Sequence, residues 1–340
     1  MLKAQFKKYA TRYKYMTNRI SFIFFTIFIV IFSLTHVSSS SAQTGEEVYQ
    51  FNEVWGYLMT GEEAHLTDAI PVTDIGYFSA RISRTGTLYG IPKRNRIKNY
   101  KGKVHLVIAE TGNFTLTHIC LNPAFNLRDK LVNDIVAASA PFDGVQIDFE
   151  AVIPADKEIF LEFLTILKKE LKGKTLSIAV PARRKNVNDA FDYDRIGKIA
   201  DRIIIMAYDQ HWSTSKPGPV SSFNWCEKVA NYAISKIPAK KIIMGIPFYG
   251  RAWINKNPAR AYRLNNTRNI IERLKPDIKY TEDKIPFFTY STTIQVSHYF
   301  DDKNTIADKL KLYKNSSINK VAFWRISQET PEIWNIITSP

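Results

Sequence analysis

The sequence predicts an α/β fold, a (β/α)8 TIM barrel with a small α+β insertion between strands seven and eight. Three observations lead there. Eight apolar runs recur along the chain with helix-like segments between them, and buried parallel strands read as near-continuous apolar stretches. Polar and aromatic residues cluster at the ends of several runs, and such barrels carry their sites at the carboxyl ends of their strands. The βα rhythm then fails between Trp253 and Phe300, where Thr, Tyr and Phe gather around Phe287-Phe288-Thr289-Tyr290.

Residues 1–42 hold Lys3, Lys7, Lys8, Arg12, Lys14 and Arg19 with no acid, then an apolar run from Ile20 to Leu34. This is the pattern of an export signal, and Ser40-Ser41-Ala42 places cleavage before Gln43. The run is about 15 residues, short of the ~20 of a membrane span, so an uncleaved anchor is the lesser alternative. The expected location is outside the cytoplasm: periplasmic, cell-envelope or extracellular. No Cys follows the run to accept a lipid.

Residues 43–340 then form one barrel domain, with the insertion at about 253–300. The strands are expected at Val54 to Met59, Ile75 to Ala80, Val104 to Ala109, Val145 to Phe149, Leu176 to Val180, Ile203 to Ala207, Ile242 to Pro247 and Val321 to Ile326. Between them, Asp156 to Lys172 carries Ile159, Phe160, Phe163, Leu164, Leu167 and Leu171 on one helical stripe, and Gly173 follows where a helix cap belongs. Only about fifteen residues separate the first two strands. That is too few for a long helix with its loops.

The fourth run, Asp143-Gly144-Val145-Gln146-Ile147-Asp148-Phe149-Glu150, bears the chemistry. In a strand, alternation sends Gln146, Asp148 and Glu150 to one side and Val145, Ile147 and Phe149 to the other. Carboxylates two strand residues apart lie roughly 6.5 to 7 Å apart at Cα, near enough to perturb each other's protonation. Acid/base chemistry depends on such tuning.

The pattern Asp-Gly-x-x-x-Asp-x-Glu resembles the signature of glycoside hydrolase family 18, the chitinase-like hydrolases and their cell-wall-lytic relatives. Three later segments fit the family in order: Met206-Ala207-Tyr208-Asp209, then Gly245-Ile246-Pro247-Phe248-Tyr249-Gly250-Arg251, then Val321-Ala322-Phe323-Trp324. Gln146 stands where many chitinases carry Asp. Together with Tyr208-Asp209-Gln210-His211-Trp212 and Pro217-Gly218-Pro219, it is closer to the branch of spore-cortex and cell-wall N-acetylglucosaminidases.

The resemblance implies a retaining hydrolase of β-1,4-linked N-acetylglucosamine glycans, peptidoglycan or chitin-like, in which the substrate's own acetamido group is the nucleophile. Glu150 is then the general acid, Asp148 the acceptor of the acetamido N–H, and Tyr208 the donor to its carbonyl. Asp209 positions the sugar and Trp324 floors it. Trp212 offers a platform for a second sugar, and Tyr249 and Arg251 line the groove. Gln146 is expected to donate its amide to Asp148 and so favour the charged carboxylate. Asp143 is expected to bond the strand network, and Gly144 to sit where a Cβ crowds the next strand. The competing reading is a non-catalytic glycan-binding, lectin-like protein of the cell envelope on the same barrel.

The formal charge is +15, and falls to +9 without the basic leader. The remaining positives are scattered over helices and loops, so the expected partners are the glycan and anionic envelope surfaces, with no nucleic acid. Arg183-Arg184-Lys185 is the one cluster near the presumed active face, and it reads first as a solvated loop. Cys120 and Cys226 allow one disulfide, although they fall in different elements. The histidines lack metal-ligand spacing and no Gly-rich phosphate loop is present. No metal or other cofactor is expected, and the protein is expected to be a monomer.

Overall fold

A computed structural model describes residues 47–254, 257–291 and 294–340; the segment expected to direct export lies outside them. Eight parallel strands close on themselves. They are β1 (Glu53–Met59), β2 (Asp74–Ile82), β3 (Lys103–Glu110), β4 (Gly144–Phe149), β5 (Thr175–Pro181), β6 (Arg202–Met206), β7 (Ile242–Pro247) and, after the insertion, β12 (Lys320–Trp324). Each pairs with the next, and β12 joins β1 with Val321 opposite Val54. All eight runs read from the sequence are these strands.

Alternation along each strand divides the apolar residues into two clusters. Outward residues such as Val145, Ile147 and Phe149 on β4 join the large core under the helices, whereas Trp55, Tyr57, Phe78, Val107, Ile204, Ile243 and Ala322 fill the barrel interior. Helices α1 (Phe114–Leu121), α2 (Arg128–Ala138), α3 (Lys157–Glu170), α4 (Tyr193–Ile199) and α5 (Phe223–Lys236) cover the outside. On α3 the expected stripe is in place: Phe160, Phe163, Leu164 and Leu167 are fully buried, and the Phe163 ring stacks on Phe149 at 5.9 Å. Each such side chain contributes about 1.5–3 kcal/mol by leaving water. The chain then turns off through Lys172 and Gly173, both at positive φ.

The first two repeats depart from the ideal barrel. Between β1 and β2 lies only a short 3-10 turn, Glu63–His65, and between β2 and β3 an antiparallel strand pair with Leu88–Tyr89 followed by the 3-10 turn Arg94–Arg96. The sequence offers too little chain in the first gap. In the second, Gly86 and Gly90 adopt positive φ, and Pro92 follows; such residues suit turns and break helices.

The insertion comprises β8 (Tyr249–Ile254), β9 (Asn257–Arg263), α6 (Leu264–Leu274), β10 (Pro286–Ser291) and β11 (Gln295–Tyr299), followed by the last barrel helix α7 (Lys303–Asn315). Its antiparallel sheet runs β9-β8-β11-β10, with Lys279–Tyr280 at the edge. It starts at Tyr249, earlier than the rhythm suggested. Phe248 stays behind in the core, stacked on Phe323 at 4.6 Å. Tyr249 and Arg251, expected at the end of the seventh barrel strand, therefore belong to the first strand of the insertion.

Candidate active site

At the carboxyl end of the barrel, a cleft of about 570 Å³ is lined by Asp148 from β4 and Glu150 just beyond it, Arg183 and Arg184 beyond β5, Tyr208, Asp209 and Trp212 beyond β6, Tyr249 from β8 and Trp324 from β12. The structure thus brings seven of the nine expected site residues onto one surface. Gln146 and Arg251 lie behind it.

Asp148 and Glu150 share the inward parity of β4. Asp148 is nearly buried at 6% exposure, and its Oδ1 has no hydrogen-bond partner among the described residues. Burial first, and the charge of Glu150 second, push its carboxyl up to about 8. Glu150 opens into the cleft, and its carboxyl is also raised, by desolvation and then by the negative charge of Asp209. Two raised carboxyls side by side hold at least one proton at neutral pH.

Gln146 does not play the expected part. Its Oε1 accepts from the Tyr57 hydroxyl at 3.0 Å, it is 1% exposed, and it gives Asp148 no hydrogen bond. The strand rises about 3.3 Å per residue, so position 146 sits two residues deeper than Asp148, inside the barrel and behind the cleft. Asp148 is accordingly protonated at neutral pH rather than held in its charged form.

Tyr208 opens the crossover that leaves β6 at the cleft, and burial lifts its hydroxyl well above the ordinary phenol range. It stays a donor throughout the physiological range. Gly245 on β7 makes room for it, since an added Cβ would stand 2.9 Å from the Tyr208 ring and 2.9 Å from the Ile205 carbonyl oxygen. Asp209 turns back at φ 55° and takes hydrogen bonds from the Tyr249 hydroxyl at 2.7 Å and Arg251 Nη2 at 2.6 Å. Arg251, 8% exposed, holds Asp209 instead of lining the groove. Trp324 is half-buried, with Phe78 at 4.7 Å and Tyr57 at 5.2 Å between ring centres, which gives the cleft an aromatic floor. Trp212 is 53% exposed at the rim.

Asp143 accepts from the Val104 amide at 2.8 Å, as a residue of the strand network. A Cβ on Gly144 would stand 2.6 Å from the Thr175 carbonyl oxygen, so glycine is required there. Cys120 and Cys226 are both free and buried. The sequence reading missed Trp225, at the start of α5, and Gln210 and Met206, all of which line the cleft. The first turns of barrel helices face the same end as the strand termini, and that topology was the available signal for Trp225. Arg183 and Arg184, read as a solvated loop, form part of the cleft wall.

The model of the glycosyl hydrolases family 18 matches residues 9–329. The chain is 30% identical over 290 residues to the cortical fragment-lytic enzyme of Bacillus anthracis, covering 78% of this chain and 67% of that protein. It is 32% identical over 241 residues to Bacillus subtilis (strain 168) YdhD, covering 66% of this chain and 57% of that longer protein. Among solved structures, the spore cortex-lytic enzyme SleL of Bacillus cereus superposes with a TM-score of 0.78 at 26% identity, covering 86% of this chain and 76% of that one.

Proposed function

Because this chain belongs to the glycosyl hydrolases of family 18, we propose that it cleaves β-1,4-linked N-acetylglucosamine glycans with retention, with Glu150, Asp148 and Tyr208 as its catalytic residues. The observation that carries the reading is a buried, unpartnered Asp148 oxygen next to a raised Glu150, with the Tyr208 donor on the same cleft.

The carboxyl pair starts with its proton on Asp148. A sugar seated on Trp324 excludes water from Glu150, which raises that carboxyl further. The acetamido N–H offers Asp148 a hydrogen bond to its charged form, and the proton then belongs on Glu150. The acetamido carbonyl oxygen, angled by the Tyr208 hydroxyl, attacks the anomeric carbon. The glycosidic bond breaks, Glu150 gives its proton to the leaving oxygen, and Asp148 meets the positive charge that develops on the acetamido nitrogen. Water then opens the oxazoline-type intermediate as the Glu150 carboxylate takes its proton, and the anomeric configuration is kept. No second carboxylate nucleophile is needed.

Cell-envelope glycan is the proposed setting, since the similar proteins are named for lysis of spore cortex, and the positive charge, +9 without the leader, suits an anionic surface. Mass spectrometry of the products from purified peptidoglycan and from chitin oligomers tests the reading, with early proton NMR of the anomeric signals. Inverted product, or no cleavage of either glycan, overturns it.

A further inference from the structure

Arg183 and Arg184 follow each other on the cleft wall but are in different states. Arg183 is committed: its Nε donates to Asp189 Oδ2 at 2.9 Å, its Nη2 to the same oxygen, and its Nη1 to the Ala182 carbonyl at 3.1 Å. Arg184 is exposed and makes no hydrogen bond or ion pair among the described residues. The other charges on the cleft are accounted for. Asp209 is tied to Arg251, and Asp148 and Glu150 form the protonated pair. Arg184 is therefore the cleft's uncommitted cation, next to the exposed Lys185.

Its place in the ring says which sugar it meets. The Arg184 loop leaves β5, the immediate neighbour of β4 with Glu150, while Trp324 stands on β12, across the barrel. If Trp324 floors the sugar that reacts, the sugar that departs with the Glu150 proton passes along the β5 loop. Chitin offers only neutral sugars there. Muramic acid, which alternates with N-acetylglucosamine in peptidoglycan, carries a 3-O-lactyl carboxylate, free or extended by a peptide that ends in carboxylates of its own. A guanidinium fork matches a carboxylate in two parallel hydrogen bonds.

Resting on the hydrolase reading above, we propose that Arg184 is a specificity residue that reads a carboxylate on the leaving sugar and so favours peptidoglycan over chitin. The test measures binding in the Glu150→Gln background, with and without Arg184→Gln, to chitotetraose and to two tetrasaccharides of alternating N-acetylglucosamine and muramic acid, one with free lactyl groups and one bearing short peptides. Arg184→Gln is expected to weaken at least one carboxylate-bearing ligand by about tenfold, the scale of a charge-assisted hydrogen bond, and to leave chitotetraose within about twofold. Arg184→Lys should restore part of the loss. The ligand that weakens identifies the carboxylate. Equal losses on all three ligands, or none, overturn the proposal. Hydrolysis by the unaltered protein is followed in parallel, so failure to cleave counts against the hydrolase reading and leaves the binding comparison to judge Arg184.

Discussion

At the amino-terminal end of the barrel, Glu53 accepts from Arg202 Nη2 at 2.5 Å, Lys320 Nζ stands 3.0 Å away, and Trp55 Nε1 donates at 3.1 Å. Beside it, His105 Nε2 and Asp74 Oδ1 lie 2.9 Å apart under a stacked Trp55 ring. Burial alone would raise Glu53, but these donors outweigh it and hold the carboxyl at about 2. At the other end Asp148 is also buried, has an oxygen with no partner, and stands at about 8. Two carboxyls that both lose water thus move in opposite directions, the half-buried Glu53 down and the more deeply buried Asp148 up, according to whether the opposite charge is built in. The closed end uses its charges to hold the strands in register. The open end pairs Asp209 with Arg251 and Arg183 with Asp189 but leaves Asp148, Glu150 and Arg184 without an opposite charge among the described residues, available to a substrate.

The largest effect is expected at Glu150. Glu150→Gln keeps the shape but cannot donate a proton, so turnover should fall at least about a hundredfold with sugar binding intact; near-normal hydrolysis would remove the acid from the scheme. Asp148→Asn should cost turnover on a similar scale, about 10²–10³, yet stabilise the fold at pH 8. Between about 4 and 8 the native Asp148 keeps a proton that the unfolded chain releases, so its contribution to stability declines as pH rises through that window. Removing the ionisable group lifts that penalty by on the order of a few kcal/mol at pH 8 and changes nothing near pH 3. Chemical denaturation at the two pH values measures it, and a variant less stable than the parent at pH 8 would contradict the raised carboxyl.

Glu53→Gln should do the reverse. A depressed carboxyl gives stability that is present above about 4.5 and lost as pH falls through about 2. The variant should lose about 3 kcal/mol at pH 7 and show a weaker acid dependence, with turnover per folded molecule unchanged. If its turnover falls while its stability holds, the division between the two ends is wrong. The smallest effect is a pH limb. The proposed mechanism uses one proton on the Asp148–Glu150 pair, so kcat/KM on a soluble oligosaccharide should fall on the alkaline side near pH 8. A profile flat to pH 10 would mean that the pair's proton is not used.

The eight strands were readable because burial on both faces forces unbroken apolar runs, and the placing of Glu150, Asp148, Tyr208 and Asp209 on one cleft was readable because a strand end is a short, local pattern. The failures share a cause. Inward side chains from different strands meet only when the barrel closes, so the bond from Tyr57 to Gln146, 89 residues apart, has no trace in either neighbourhood. Alternation assigned Asp148 a face but not a depth, and depth is what raises its carboxyl. Arg183 and Arg184 looked alike in sequence, and only Asp189, six residues on from Arg183, distinguishes the committed guanidinium from the free one. The missing helices of the first two repeats were half-visible, in a gap too short and in the glycines of the second.

The strand that opens the insertion grips the sixth crossover at several points. Tyr249 and Arg251 hold Asp209, Trp253 Nε1 donates to the Ser215 carbonyl at 3.0 Å, and on the neighbouring strand the Ala259 amide donates to Ser213 at 2.7 Å. Tyr208 is the residue next to Asp209. Mechanically, the insertion and this loop are one lever with its short arm at the cleft, so trimming the insertion to reshape the groove is expected to loosen Tyr208 as well, the residue proposed to angle the acetamido carbonyl.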